Sequence, residues 1–181
     1  MKTLLVEAFR RLQGKSQQAL FKLTQAMGGG KTHNLITLGM LAKHPEFRAQ
    51  GLPGLLTATQ LPPVRVVAFS GRETDVAHGI WSETARQVDK SAAFKDHYSP
   101  LKAPGRTAWI NLLKGEPTLI LLDELPPYLD NAKSVSIGNS DLSKVTATAL
   151  TNLFEAIAEH ELGNVCVVVT DLVGAYAEAS A

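Results

Sequence analysis

The chain has 181 residues, 45% of them hydrophobic and 19% charged, a balance that suits one folded domain and excludes a disordered chain. A formal net charge of +1 gives no global attraction to nucleic acid or to an acidic membrane surface. Cys166 is the sole cysteine, so an internal disulfide and a thiolate metal cluster are excluded; it lies in Val165-Cys166-Val167-Val168-Val169, where a buried core thiol is expected.

No apolar run approaches the ~20 residues needed to span a bilayer. Glu7, Arg10 and Arg11 cut the apolar start too short for a secretory signal. These features predict a soluble, cytoplasmic protein with no membrane partner.

Leu5, Ala8, Phe9 and Leu12 fall at i, i+3, i+4 and i+7, which predicts an opening helix over about residues 3–14 with Arg10 and Arg11 outside its apolar face. Leu20-Phe21-Lys22-Leu23-Thr24 reads as a short strand, broken by Gly28-Gly29-Gly30 before a helical pattern from Leu35 to Leu41. A connecting stretch punctuated by Pro45, Gly51, Pro53, Gly54, Pro62 and Pro63 follows. Val64 to Phe69 is a buried strand that Gly71 ends, and Ala77, Ile80, Trp81, Ala85 and Val88 recur at helical spacing.

Pro100, Pro104 and Gly105 lead to a short helix around Ala108 to Leu113. Thr118-Leu119-Ile120-Leu121-Leu122 is a continuous apolar run of the kind that fills a central parallel strand. Residues 130–143, polar and rich in Ser and Asn, read as the most mobile loop. Leu150, Leu153, Phe154 and Ile157 then mark a helix closed by Gly163, and Val165 to Val169 is the last strand. Alternation of strands and helices predicts an α/β three-layer sandwich with a mostly parallel sheet, forming a single domain over residues 1–181 with ligands beyond the carboxyl ends of its strands.

Met27-Gly28-Gly29-Gly30-Lys31-Thr32 resembles the Walker A loop, G-x-x-x-x-G-K-[ST]. Glycines let backbone N–H groups converge on phosphate oxygens, and the following helix points its N-terminal dipole at the same charge. Lys31 is the candidate for the β- and γ-phosphates and Thr32 for Mg²⁺. His33 completes the candidate nucleotide contacts, although a place in the first turn of the helix accounts for it better. Gln25 stands where the pattern has its first glycine, and the run can also be read as a flexible turn with a solvated lysine.

Leu119-Ile120-Leu121-Leu122-Asp123-Glu124 resembles a Walker B motif, a buried strand ending in two carboxylates. Asp123 is the candidate Mg²⁺ ligand and Glu124 the candidate that polarises the attacking water. A solvated turn is the alternative for either residue alone, and the combination with the glycine loop favours nucleotide binding.

Among other residues, Trp81 fits the apolar face of its helix, and His78, His97 and His160 lack metal-ligand spacing. Arg72 and Arg106 are read as solvated surface arginines, although either has the charge to contact phosphate.

With both motifs placed, the chain resembles the AAA-like branch of P-loop NTPases, and within it a family of large prokaryotic ATPases often associated with phage-defence gene clusters that include DNA methyltransferases. The closer match rests on Leu23-Thr24-Gln25-Ala26-Met27-Gly28-Gly29-Gly30-Lys31-Thr32-His33 and on Leu119 to Leu129, which ends Asp123-Glu124-Leu125-Pro126-Pro127-Tyr128-Leu129. The resemblance implies an ATP hydrolase working as the motor or switch domain of a larger protein. It implies ATP and Mg²⁺ as cofactors, a homo-oligomer, and protein or DNA partners in a defence complex. In such ATPases a polar residue at the end of the inserted strand senses the γ-phosphate, which makes Thr170 the candidate here, although β-propensity alone accounts equally for a threonine at a strand end. A fifth strand and a helical lid, usual in such cores, are not visible, so the chain is expected to be truncated before them. Two alternatives remain open: a nucleotide-binding module without hydrolysis, and a small-molecule phosphotransferase.

Overall fold

Helix α1, Lys2–Leu12, buries Leu5, Ala8, Phe9 and Leu12 as their spacing predicts. The structure is a computed structural model and describes residues 2–24, 30–51, 60–72, 78–99 and 101–170. Arg11 departs from the sequence expectation, because it is buried rather than outside the apolar face, with 3% of its surface exposed. Its guanidinium donates to the carbonyls of Val165 at 2.9 Å, Ser16 at 3.0 Å, Ile157 at 2.6 Å and Leu162 at 2.9 Å. A planar group with five N–H donors can be buried when carbonyls satisfy them, and periodicity cannot register that.

Strand β1, Leu20–Leu23, precedes helix α2, Lys31–Lys43. The proline-punctuated stretch contains a 3₁₀ turn, Pro45–Phe47, and a one-turn helix α3, Arg48–Gly51, where sequence gave only a connection. Arg48, with none of its surface exposed, explains the ordering. It donates to the carbonyls of Leu41 at 2.7 Å, Ala42 at 2.6 Å and Pro62 at 3.1 Å, and also to that of Leu61. The last carbonyls of α2 lack helical partners and carry the negative end of its dipole, which a guanidinium satisfies.

Strand β2 is Arg65–Ser70, helix α4 is Gly79–Gln87, and a 3₁₀ stretch spans Ser91–His97. Helix α5, Arg106–Leu113, leads to strand β3, Thr118–Asp123, and then to helix α6, Leu125–Ala132. Pro126 and Pro127 sit in the first turn of α6, where a missing N–H forfeits no helical bond.

The expectation of a mobile loop over residues 130–143 is corrected by the structure. The segment holds the end of α6, a hairpin of β4, Ser136–Ile137, with β5, Ser140–Asp141, and the start of helix α7, Leu142–Ala156. Gly138 supplies the positive φ of the turn at 57°, and the Asp141 carboxylate caps α7 by accepting the Lys144 N–H at 3.0 Å. Its polar residues are turn and capping chemistry. A 3₁₀ turn, His160–Leu162, leads to strand β6, Val165–Thr170.

The four longer strands form one parallel sheet in the order β1-β6-β3-β2. Period-two alternation sends Leu119, Leu121, Cys166 and Val168 to one face, against α1 and α2. Ile120, Leu122, Val165, Val167 and Val169 face the other side, against α4, α5, α6 and α7. Helices therefore cover both faces, and the six residues of β6 are all fully buried. Each such Val or Leu side chain contributes roughly 1.5–3 kcal/mol of transfer free energy. No helix among the described residues is long and apolar enough to cross a membrane.

Candidate functional site

Parallel pairing brings the carboxyl ends of the four longer strands to one edge of their sheet. Leu23 pairs with Thr170, Ser70 with Asp123, and Leu122 with Val169, so the ends of β1, β6, β3 and β2 lie side by side there. Strand β6 lies between the strand before the glycine loop and the strand before the acidic pair. Thr170 thus stands beside Asp123.

Of the loop itself, Gln25, Gly28 and Gly29 lie outside the described residues. Gly30 caps α2 with φ 69° and ψ 24°, a left-handed conformation that glycine adopts without steric cost. No side chain caps this helix start, and its first described bond runs from the Asn34 N–H to the Gly30 carbonyl at 2.9 Å. The start of the helix carries the positive end of its dipole, a setting suited to an anion. Lys31 is the first residue of α2 and is half-buried, while Thr32 and His33 follow it and are exposed. The His33 carbonyl accepts the Thr37 hydroxyl at 2.9 Å, a helix-internal bond.

Thr32, Asp123 and Thr170 meet directly. The Thr32 hydroxyl donates to Asp123 Oδ2 at 2.7 Å, and the Thr170 hydroxyl donates to Asp123 Oδ1 at 2.5 Å. Thr170 also accepts the backbone N–H of Glu124 at 3.2 Å. Both carboxylate oxygens of Asp123 are therefore held by threonines from two other elements. A hydroxyl and a carboxylate at this separation form the hard oxygen donor set that a small divalent cation takes, with water supplying the rest of its shell.

The Glu124 side chain has a different partner. Its carboxylate accepts Arg72 Nε at 2.7 Å, with 73% of the Arg72 side chain and 33% of the Glu124 side chain exposed. Its backbone is left-handed, φ 52° and ψ 45°, which costs a non-glycine residue of order 1–3 kcal/mol. Gly71 lies against it: the Gly71 N–H donates to the Asp123 carbonyl at 2.8 Å. Sequence placed Arg72 as a solvated surface arginine and Gly71 as a strand terminator. The structure makes both neighbours of Glu124, which only the pairing of β2 with β3 could reveal. Arg106 is elsewhere, paired with Glu159 at 2.8 Å.

An apolar groove of about 420 Å³ runs from Thr32 and Asp123 between α2 and β2, past Ile36, Met40 and Ala68. His78 stacks on Tyr98 with ring centroids 4.9 Å apart, and His97 packs edge-on against Phe94. Trp81 is fully buried in the core, as its helical spacing predicts. Cys166 is fully buried, and burial pushes its thiol up to about 12.

The chain matches no family model, no curated protein and no solved structure. Its function is accordingly read from the site alone.

Proposed function

We propose that the chain is an AAA-like P-loop ATPase domain that binds Mg-ATP and hydrolyses it as a motor or switch. The 2.7 Å bond between Thr32 and Asp123 carries this reading. It joins the start of the helix after the glycine loop to the end of the apolar strand, the juxtaposition that a Walker A and Walker B pair requires. The position of β6 between β1 and β3 supports the AAA-like form of the fold.

On this reading Gly28, Gly29 and Gly30 leave room for backbone N–H groups to face phosphate oxygens, and Lys31 holds the β- and γ-phosphates. Thr32 and Asp123 would hold Mg²⁺, which when bound neutralises charge on the phosphates. Thr170 fixes the Asp123 carboxylate through its hydroxyl, and Glu124 orients and deprotonates the attacking water.

Calorimetric titration of Mg-ATP into the native chain and into Lys31→Ala tests the phosphate site; equal affinity in both would sink it. Glu124→Gln is expected to keep nucleotide binding and lose turnover, and full turnover in that variant would remove Glu124 from the chemistry.

The ion pair of Glu124 with Arg72 favours a second reading, a nucleotide-binding module whose water-activating carboxylate is held away from the phosphates. Tight ATP binding with no phosphate release at any protein concentration distinguishes it.

A further inference from the structure

We propose that Gly71 is a positioning residue for Glu124, its missing side chain making the space in which the Glu124 backbone is held left-handed. A Cβ at position 71 would lie 1.7 Å from the Glu124 carbonyl oxygen and 2.5 Å from its carbonyl carbon. Real Cβ atoms do not approach closer than 3.0 Å, and the obstacle is backbone, which cannot swing aside as a long side chain does. Any side chain at 71 must therefore displace the peptide between Glu124 and Leu125.

That peptide is already in an unfavourable conformation. Glu124 has φ 52°, one of two positive-φ positions occupied by a residue other than glycine among the described residues. Left-handed backbone at such a residue persists only where its surroundings over-determine it, and such strain collects at functional positions. Three hydrogen bonds and a buried neighbour hold it here. The Gly71 N–H bonds to the Asp123 carbonyl at 2.8 Å, and the Glu124 N–H bonds to Thr170 at 3.2 Å. Arg72 takes the carboxylate at 2.7 Å, and Leu125, next in the chain, is fully buried.

The consequence is a division between adjacent carboxylates. Asp123 is committed to Thr32 and Thr170, whereas the left-handed turn sends Glu124 to Arg72. Extended or right-handed backbone at Glu124 would carry its side chain in another direction. Gly71 thus sets where the carboxylate starts from, without touching nucleotide or water itself. This inference rests on the hydrolytic reading for its catalytic part and on backbone geometry alone for the rest.

Two measurements test it. In Gly71→Ala, Mg-ATP affinity by calorimetry and KM are expected to stay within about twofold of native while kcat falls on the order of tenfold or more, as a displaced catalytic group dictates. A folded Gly71→Ala with native kcat overturns the proposal. If Gly71→Ala does not fold, adding Glu124→Gly frees the opposing peptide and is expected to restore folding; failure to restore it overturns the clamp.

The second measurement compares melting temperatures of Glu124→Gly and Glu124→Ala, which lose the same carboxylate. Glycine is expected to melt roughly 2–4 °C higher, because only it relaxes at positive φ. Glycine melting at or below alanine overturns the backbone assignment. A native chain that binds Mg-ATP but releases no phosphate sinks the hydrolytic reading and the catalytic part of this proposal, and the thermal comparison still decides the clamp.

Discussion

Arg72 Nε donates to Glu124 Oε2 at 2.7 Å, a contact that ties the residue two places beyond strand β2 to the residue just beyond strand β3. The pair is open to solvent on the arginine side, so its net contribution to stability is under about 1 kcal/mol. Its effect falls on where the carboxylate points, which the ion pair fixes toward Arg72.

Arg72→Ala is therefore expected to leave the melting temperature nearly unchanged, within about 3 °C, and, on the hydrolytic reading proposed above, to raise steady-state phosphate release severalfold at saturating Mg-ATP by freeing the carboxylate. Arg72→Lys keeps the charge but not the Nε donor and falls between native and alanine. Malachite-green release assays on the three proteins check this order. A fall in turnover in Arg72→Ala would mean that the arginine serves the reaction instead of restraining it.

Thr170 has none of its surface exposed and makes both a donated and an accepted hydrogen bond, to Asp123 and from Glu124. Thr170→Val keeps the shape and deletes both bonds, leaving a carboxylate oxygen and a backbone N–H without that partner. The expected cost is about 1–3 kcal/mol in chemical denaturation and, on the hydrolytic reading proposed above, turnover is reduced as well, because Asp123 loses one of its two orienting hydroxyls. Thr170→Ser restores the hydroxyl and is expected to recover both properties. Native stability in Thr170→Val would show that these bonds are replaced by water at no cost.

Cys166 provides a pH signature independent of the site. Its thiol, raised by burial to about 12 from an ordinary value of 9.0, is neutral in the folded chain throughout the physiological range. The folded value exceeds the unfolded one, so the associated stability is fully present below about pH 9 and is lost as pH rises through the folded value. Thiol-reactive dyes are expected to label the folded chain only at its unfolding rate at pH 8, and denatured chain at once. Prompt labelling of folded protein would place the thiol within reach of solvent.

The sheet was legible because its strands are apolar runs with sharp ends, and Leu119 to Asp123 needed no context to be read as a central parallel strand. The meeting of Thr32 with Asp123 followed from motif spacing, since each lies where a strand or helix terminus must be. The roles of Gly71 and Arg72 were not legible, because they depend on β2 being the neighbour of β3, a matter of sheet order that no local pattern encodes. Arg11 and Arg48 were hidden for another reason. Hydropathy counts a guanidinium as surface, but four carbonyls around each make burial tolerable, and those carbonyls come from residues distant in sequence or from a helix end. The hairpin within residues 130–143 was read as mobile because Ser, Asn and Asp serve both loops and caps.

Gln87 closes the open side of β2. Its Oε1 accepts the Ala68 N–H at 2.8 Å and its Nε2 donates to the Ala68 carbonyl at 2.8 Å, so one side-chain amide takes the place of a neighbouring strand. Glu83 holds that amide by accepting Nε2 at 2.6 Å, and the hydrogen bonds from Arg86 keep the Glu83 carboxyl below its ordinary range. Exposed edges with unpaired N–H and C=O groups template pairing between chains, and proteins that remain discrete block them. Gln87→Met retains length and removes the amide, freeing Ala68 on an edge bordered by the exposed apolar side chains of Ile36 and Met40. The variant is expected to self-associate in sedimentation velocity at concentrations where the native chain sediments unchanged. Because the Glu83 pKa is lowered on folding, this support is present above the ordinary carboxylate range and is lost as pH falls through the folded value, so native chain in acid should begin to resemble the variant. Identical sedimentation of the two proteins would show that the β2 edge is protected by something other than Gln87.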